Sequence, residues 1–267
     1  MKNILTPLDG TETAEAALPW ARSAATRSGA AIRLLSVLEQ PGDGNGHLEK
    51  LEGYLQAHKD GLWAHGLAAE AEVALGSAAL RILSRAEEAD LTVMTYGNSR
   101  WVFGSVLDRV LQKMTRPLVL VRTNSKESAE YPPPAKILVP LDTPAYSSRV
   151  LPIAESIAKA LGATMTLCHV VRPVGEYYAE GLLDDARRFV GSVAEHVQRQ
   201  GIGVETVVAV GEAHLEIRRI AGRTGAGIIA MATRGRDRLE NRIMGSVSNA
   251  VVQSTHLPCL LIRPSEA

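Results

Sequence analysis

An internal repeat constrains what this chain can fold into more than any other feature of its sequence. Residues 4–9 (ILTPLD) return as residues 137–142 (ILVPLD), 133 positions later. Towards the end of each half, residues 104–106 and 245–247 both read GSV, at an offset of 141. Matches that keep their order along both halves indicate a duplicated domain.

The length of the chain and a change of composition near its middle place the boundary between the copies. The 267 residues suit two domains of about 130 residues each. A polar stretch and a run of three prolines that begins at Pro132 can extend neither a helix nor a central strand. We therefore predict one domain over residues 1–123, a short stiff linker over 124–135 and a second domain over 136–267.

Composition excludes several functional classes. Lys plus Arg and Asp plus Glu both number 29, so the chain has no excess positive charge for binding nucleic acid. Aromatic residues are only 4% of the chain, so aliphatic side chains must fill the core, as in helices packed on a parallel sheet. Two cysteines do not make a disulfide scaffold, and no apolar run reaches the ~18–20 residues of a membrane span. The N-terminus does not resemble a signal peptide. We expect a cytoplasmic protein with no nucleic-acid or membrane partner.

Short apolar runs alternate with longer periodic segments in both halves. Residues 4–8 have strand length and are apolar on both faces, which is typical of a sheet covered on both sides. Residues 14–28 are predicted to form a helix that follows the candidate caps Thr11 and Thr13 and ends at Gly29. The alternation predicts βαβ units and an open parallel sheet, whose ligands bind beyond the carboxyl ends of the strands.

Each predicted first strand runs into an aspartate, Asp9 in the first half and Asp142 in the second. A carboxylate at this edge of the sheet can accept hydrogen bonds from ribose hydroxyls or from an adenine amine. It can equally serve as the N-cap of the helix that follows. The sequence leaves both roles open.

A glycine-containing basic loop follows the fourth strand of the second half. After Gly235 and nine intervening residues, residues 245–248 (GSVS) begin a predicted helix. Glycine amides, an unpaired helix N-terminus and serine hydroxyls can all donate hydrogen bonds to phosphate oxygens. Three arginines lie in the same loop: Arg234, Arg236 and Arg238. A solvated basic loop with an ordinary cap is the alternative, but the combination with a strand-end aspartate favours a phosphate site.

These motifs together resemble a tandem universal stress protein, with one family domain in each half. The shared motifs are the Ile-Leu-x-Pro-x-Asp openings, the Gly-Ser-Val segments and the closing Pro-x-x-x-Ile/Val-Arg. The resemblance implies an α/β fold of two doubly wound, Rossmann-like domains that pack as a pseudo-dimer. Each domain would hold a five-stranded parallel open sheet with strand order 3-2-1-4-5 and helices on both faces.

The resemblance also implies an adenine nucleotide, ATP or ADP with or without Mg²⁺, bound chiefly in the second half. Nucleotide-binding members of the family carry Gly-x2-Gly-x9-Gly-Ser/Thr, and this chain departs from that pattern only at Ala232. The residues that would line the site are Pro140, Leu141, Asp142, Val170, Met231, Ala232, Arg234, Gly235, Arg236, Gly245, Ser246, Val247 and Ser248.

The first half departs further from the family pattern. Only six residues separate Gly97 from Gly104, and Trp101 and Phe103 occupy this shorter loop, which makes a poorer phosphate cradle. We expect at most a degenerate or regulatory second site. Its residues would be Pro7, Leu8, Asp9, Val37, Met94, Gly97, Gly104 and Ser105.

Motifs of common nucleotide enzymes do not occur in the sequence. It contains no Gly-x4-Gly-Lys-Ser/Thr loop and no Gly-x-Gly-x-x-Gly after either first strand, and its seven histidines show no metal-ligand spacing with the cysteines. His169, at a predicted strand end, is expected to be a packed or wall residue rather than a catalytic base. We expect a nucleotide-responsive regulatory or stress-response module with no catalytic residue and no metal site, at most a slow ATPase. A nucleotide-free dimerisation scaffold, a weak ATP hydrolase of the same fold and a homodimer stay open.

Overall fold

The computed structural model of the chain describes residues 1–39, 46–97, 105–123, 134–172, 180–233 and 244–263. The chain divides into two compact units, Met1–Pro133 and Pro134–Ala267, called here the first and the second unit. Most of the predicted linker, residues 124–133, lies outside the described ranges. The packing of the two halves as a pseudo-dimer stays a prediction.

Strands and helices alternate along the first unit. Its strands are β1 (Asn3–Pro7), β2 (Ala31–Leu38), β3 (Ala69–Leu75), β4 (Leu91–Tyr96) and β5 (Leu118–Arg122). Its helices are α1 (Glu12–Glu15), α2 (Leu18–Ser28), α3 (Gly46–Ala64), α4 (Ala78–Ala86) and α5 (Val106–Lys113). The strands pair in parallel in the order β3-β2-β1-β4-β5, which confirms the predicted order 3-2-1-4-5.

The second unit repeats this arrangement. Its strands are β6 (Lys136–Pro140), β7 (Thr164–Val171), β8 (Val204–Val210), β9 (Ile228–Ala232) and β10 (Cys259–Ile262). Its helices are α6 (Pro144–Leu161), α7 (Glu180–Arg199), α8 (Ala213–Thr224) and α9 (Ser246–Ser254). The parallel order β10-β9-β6-β7-β8 is again 3-2-1-4-5, read from the opposite edge.

The strand order decides where the helices and a ligand can lie. Because parallel crossovers are right-handed, reversal of the order beside β1 puts α2 and α3 on one face of the first sheet and α4 and α5 on the other. The same reversal beside β6 arranges the helices of the second unit. A crevice forms at the carboxyl ends of the strands where the order reverses, between β1 and β4 and between β6 and β9.

The central strands are buried on both faces, as their apolar composition predicts. Ile4 and Leu5 point to opposite faces of β1, and each is at most 1% exposed. Ile137 and Leu138 on β6 are 0% exposed. Across the described ranges, no helix is long and apolar enough to cross a membrane.

The prediction of one continuous helix over residues 14–28 is wrong in part. The segment is split into α1 and α2, and Pro19 lies at the start of α2. A proline lacks the amide hydrogen, so it suits the first turn of a helix, where that donor has no intrahelical partner, and Pro19 takes this place in α2. The equivalent Pro152 lies inside α6, which continues past it. Of the two candidate caps, Thr11 is the N-cap of α1, and Gly29 ends α2 in the left-handed conformation as predicted, with φ of 71°.

Candidate functional site

Residues that follow β6 and β9 meet at the carboxyl edge of the second sheet, where the strand order reverses. Pro140 is the last residue of β6, Leu141 behind it is buried, and Asp142 is exposed. Met231 and Ala232 end the neighbouring strand β9. The fold therefore brings these five residues of the predicted site to one edge.

Helix α9 begins beside this edge. Its N-cap, Gly245, has an extended backbone (φ −62°, ψ 158°) and no capping side chain, and the first turn contains no acidic residue. Ser248 Oγ donates a hydrogen bond of 3.1 Å to the Ala232 carbonyl oxygen, which holds the turn against the end of β9. In the same turn Ser246 is exposed and Val247 is half-buried. Such a turn has unpaired main-chain amides and partial positive charge.

The end of β7 forms the other side of the edge. Val170, predicted to meet adenine, is half-buried there, one residue after His169. His169 Nδ1 lies 2.8 Å from the Leu141 carbonyl oxygen, and the imidazole packs edge-on to Phe189 with ring centroids 5.9 Å apart. Leu141 N donates a hydrogen bond of 2.7 Å to Cys168 O. The residue before Asp142 is thus bonded to β7 through both of its main-chain groups.

Several predicted site residues cannot be placed. Arg234, Gly235 and Arg236 lie outside the described residues, as does Gly104 in the first unit. Their roles stay predictions from the sequence.

The carboxyl edge of the first unit repeats the geometry around its first strand. After Pro7, Leu8 N donates to Leu35 O at 2.8 Å, and Ser36 Oγ donates to Leu8 O at 2.7 Å. Asp9 then accepts hydrogen bonds at Oδ1 from Thr11 N at 3.0 Å and Thr11 Oγ1 at 2.6 Å. Thr11 Oγ1 in turn caps α1, so Asp9 supports the cap residue instead of being the cap.

The last helix of the first unit begins in a different way from α9. Ser105 is the N-cap of α5, and its Oγ accepts a hydrogen bond of 3.1 Å from Asp108 N. The Asp108 carboxylate lies in the first turn, is 2% exposed, and accepts a hydrogen bond of 3.1 Å from Gln112 Nε2. A hydroxyl therefore already accepts from one amide of this turn, and an acidic side chain offsets part of the positive charge of the helix terminus.

The other predicted residues of the first site lie at the same edge. Val37 is half-buried towards the end of β2, Met94 is buried on β4, and Gly97 is exposed just after β4.

A cluster of titratable groups at this edge escaped the sequence analysis. His58 Nε2 on α3 lies 3.4 Å from Glu15 Oε1, and the imidazole packs edge-on to Tyr54, with centroids 4.7 Å apart. Burial, together with the hydrogen bond and charge of Glu15 and the charge of Asp9, raises the pKa of Tyr54. Helical spacing places Tyr54 and His58 on one face of α3, but the sequence does not indicate that this face meets α1.

Metal and thiol chemistry find little support in the described part of the chain. Within it, no group of three or more His, Cys, Asp or Glu side chains is arranged to hold a metal ion. Cys168 and Cys259 are free and buried, and burial raises the pKa of each thiol to about 12.

Comparisons with known proteins support the division of the chain into two similar α/β domains. A family model described as "Universal stress protein family" matches residues 1–122 and 134–263. Universal stress protein YxiE from Bacillus subtilis (strain 168) is 28% identical over 145 residues, which are 48% of this chain and 98% of that protein.

Solved structures share the fold over nearly the whole chain. A universal stress protein from Archaeoglobus fulgidus DSM 4304 has a TM-score of 0.72 and 20% identity, with 99% of this chain and 97% of that chain covered. A putative universal stress protein from Pseudomonas aeruginosa UCBPP-PA14 has a TM-score of 0.69 and 17% identity, with 99% and 94% covered. Because the family model matches both halves, the chain belongs to the universal stress protein family, with one family domain in each half.

Proposed function

We propose that the chain binds ATP or ADP at the carboxyl edge of the second unit and acts as a nucleotide-responsive regulatory module. The observation that carries this proposal is the open first turn of α9. Gly245 has no side chain to cap that turn, and among the described residues the first turn of α9 contains no acidic side chain. Main-chain amides at such a terminus suit the phosphates of a nucleotide.

The remaining parts of the edge fit the rest of a nucleotide. Asp142 is exposed beside the crevice and presents carboxylate oxygens to ribose hydroxyls. Val170 offers an apolar surface to a base at the end of β7. Ser246 and Ser248 lie in the same turn as the open amides, although the Ser248 hydroxyl already donates to Ala232 O. Any Mg²⁺ would accompany the phosphates and neutralise part of their charge.

Regulation follows if the nucleotide prefers one conformation of the chain. A ligand shifts such an equilibrium only by the difference between its affinities for the two states. The family resemblance supports this role, and a cytoplasmic location belongs to the same proposal. The free, buried cysteines are compatible with a reducing compartment.

Native mass spectrometry of the freshly purified chain tests the proposal. We expect one adenine nucleotide per chain, retained or taken up from added Mg-ATP, and calorimetry to give the same stoichiometry. Asp142→Ala should weaken binding, whereas Asp9→Ala, the matched change in the first unit, should have a much smaller effect. A chain that takes up no nucleotide at millimolar ATP would instead be a nucleotide-free scaffold.

Hydrolysis needs a separate measurement. The imidazole of His169 is engaged by a main-chain carbonyl, so it is not poised as a general base through Nδ1. We expect phosphate release from bound ATP to be no faster than a slow background rate. Rapid release that is lost in Asp142→Ala would favour the hydrolase alternative.

A further inference from the structure

We infer that His169 is a positioning residue of the second unit's edge: its imidazole holds the Leu141 carbonyl and so sets the direction of Asp142. This inference rests on the proposed nucleotide site, because Asp142 is its ribose-binding residue. His169 itself need not touch the ligand.

The Leu141 carbonyl lies just beyond the end of strand β6. Leu141 is one residue beyond β6 and only 4% exposed, so its carbonyl oxygen needs a partner from the protein. His169 Nδ1 lies 2.8 Å from this oxygen. The Leu141 carbonyl and the Asp142 amide belong to one planar peptide. A fixed carbonyl therefore fixes the direction in which the chain enters Asp142.

The first unit provides an independent copy of the same arrangement. Its counterpart of His169 is Ser36, which is 1% exposed, and Ser36 Oγ donates to Leu8 O at 2.7 Å. Leu8 precedes Asp9 as Leu141 precedes Asp142. Two chemically different side chains thus supply a donor to the same carbonyl in both copies. What the two copies share is the hydrogen bond and not the imidazole.

The hydrogen bond also determines which nitrogen of His169 carries a proton. A carbonyl oxygen only accepts, so Nδ1 must be the protonated nitrogen in the neutral imidazole. Protonation of Nε2 leaves the Nδ1–H donor in place, so the contact with Leu141 O persists when the ring becomes charged. Phe189 packs edge-on to the ring and restricts its rotation.

ATP calorimetry on three variants separates a positioning role from the alternatives. His169→Ala removes the donor and should weaken ATP binding about tenfold, the effect of one lost hydrogen bond. His169→Ser installs the side chain that the first unit uses and should bind within about twofold of the wild type. His65→Ala is the matched control, because His65 Nδ1 makes a similar contact of 2.7 Å with Gly61 O at an exposed place just after α3, in the first unit. It should bind as the wild type does.

Each outcome decides between roles. Unchanged affinity in a less stable His169→Ala variant would mean that the bond is only structural and would overturn the inference alone. If His169→Ser binds as weakly as His169→Ala, the ring itself contacts the ligand, and the positioning role is wrong. If the wild type binds no ATP, the proposed function fails and the inference fails with it.

A measurement on the wild type avoids any dependence on folding of the variants. Nitrogen-15 NMR of the imidazoles should give His169 as the Nδ1–H tautomer above pH 8, both without and with ATP. A neutral ring protonated at Nε2 would rule out the hydrogen bond to Leu141 O and overturn the inference.

Discussion

Helices α5 and α9 occupy equivalent places in the two units, yet one terminus is closed and the other open. In α5, the Ser105 hydroxyl accepts from the Asp108 amide, and the Asp108 carboxylate lies in the first turn. The first turn of α9 begins at Gly245, with neither a capping side chain nor an acid. A duplicated fold can thus keep its strand order while a few side chains change how the start of its last helix is capped and charged.

The acidic side chains near the two carboxyl edges also favour an anion site in the second unit. Asp9, Glu15 and Asp108 lie at or near the edge of the first unit, and the first two raise the pKa of Tyr54. A carboxylate in the first turn of the last helix, as Asp108 is in α5, repels phosphate oxygens, whereas the first turn of α9 contains no acidic residue. We therefore expect experiments that exchange these features to move nucleotide affinity between the copies.

The largest expected effect is that of Gly245→Val on ATP binding. The backbone at Gly245 has φ of −62°, which valine tolerates, so the variant should fold. The added side chain would block close approach of phosphate to the neighbouring amides. Loss of two charge-assisted hydrogen bonds weakens binding by about 100-fold or more, measured by calorimetry.

The matched change, Gly104→Val in the first unit, should alter ATP affinity much less. An equal or larger loss of affinity in Gly104→Val would mean that the nucleotide binds in the first unit and not, as we propose, in the second. Circular dichroism of both variants checks that each is folded.

Asn249→Asp should give the next largest effect, because it copies Asp108 into α9. The pair is well matched: Gln253 Nε2 lies 3.3 Å from Asn249 Oδ1, as Gln112 Nε2 lies 3.1 Å from Asp108 Oδ2. A new carboxylate roughly 8 Å from a phosphate charge costs about 1 kcal/mol at an effective dielectric constant of ~40, or roughly fivefold in affinity.

The loss should shrink at high salt, because screening weakens the repulsion. Asp108→Asn, the control, should leave ATP affinity in the second unit unchanged. Unaltered affinity of Asn249→Asp at low salt would show that phosphates do not approach this turn.

The cores of the two units differ in buried polar atoms. In the first unit, Thr6 Oγ1, Trp20 Nε1 and Thr92 Oγ1 are buried without a hydrogen-bond partner among the described residues. Their counterparts in the repeat are the apolar residues Val139, Ile153 and Ile229. An unpaired buried hydroxyl costs free energy that a methyl group does not.

Thr6→Val should therefore increase the free energy of unfolding of the first unit by about 1 kcal/mol. All three tryptophans of the chain lie in the first half, so their fluorescence during urea denaturation follows that unit. The control is Thr166→Val in the second unit, where Thr166 Oγ1 donates to Glu205 Oε1 at 2.6 Å. That variant should have a lower free energy of unfolding, measured by circular dichroism during urea denaturation. Destabilisation by Thr6→Val would mean that its hydroxyl has a partner, such as an internal water.

The smallest expected effect is a pH dependence limited to the first unit. Burial disfavours the Asp90 carboxylate, but hydrogen bonds from the amides of Lys2 and Asn3 outweigh burial and lower its pKa. A lowered folded-state pKa stabilises the fold fully above the unfolded value of about 3.9, and the stabilisation is lost as pH falls through the folded pKa. The counterpart in the second unit is Gly227, which has no such group.

Asp90→Asn should remove this dependence. Between pH 6 and pH 3 the free energy of unfolding of the wild type should fall by at most about 1 kcal/mol more than that of the variant. The difference is small because Asp90 is exposed. Tryptophan fluorescence in urea measures the difference. Equal losses in both proteins would mean that Asp90 does not stabilise the start of β1.

Much of the architecture could be predicted from the sequence because its signals are local or repeated. Apolar runs of strand length indicated the central strands, and Ile4 and Leu5 are buried on both faces as that pattern requires. The repeat and the family motifs indicated two domains of one kind and the strand order 3-2-1-4-5. The break before Pro19 was missed because the periodic pattern continues through it, although the proline itself was the available signal.

The differences between the two edges were decided by tertiary structure. Sequence motifs named Asp9, Asp142 and the Gly-Ser segments, but not the bond between His169 and Leu141 O or the meeting of Tyr54 with Glu15. Such contacts join residues far apart in the chain, and their geometry depends on how neighbouring strands and helices pack. The amino-acid sequence by itself determined a duplicated α/β scaffold, because hydrophobic periodicity and the internal repeat can both be read without knowing any tertiary contact. The capping of α5 by Ser105 is local to that helix. Which side chain holds each strand-end carbonyl was set only when the sheet brought those groups within hydrogen-bonding distance.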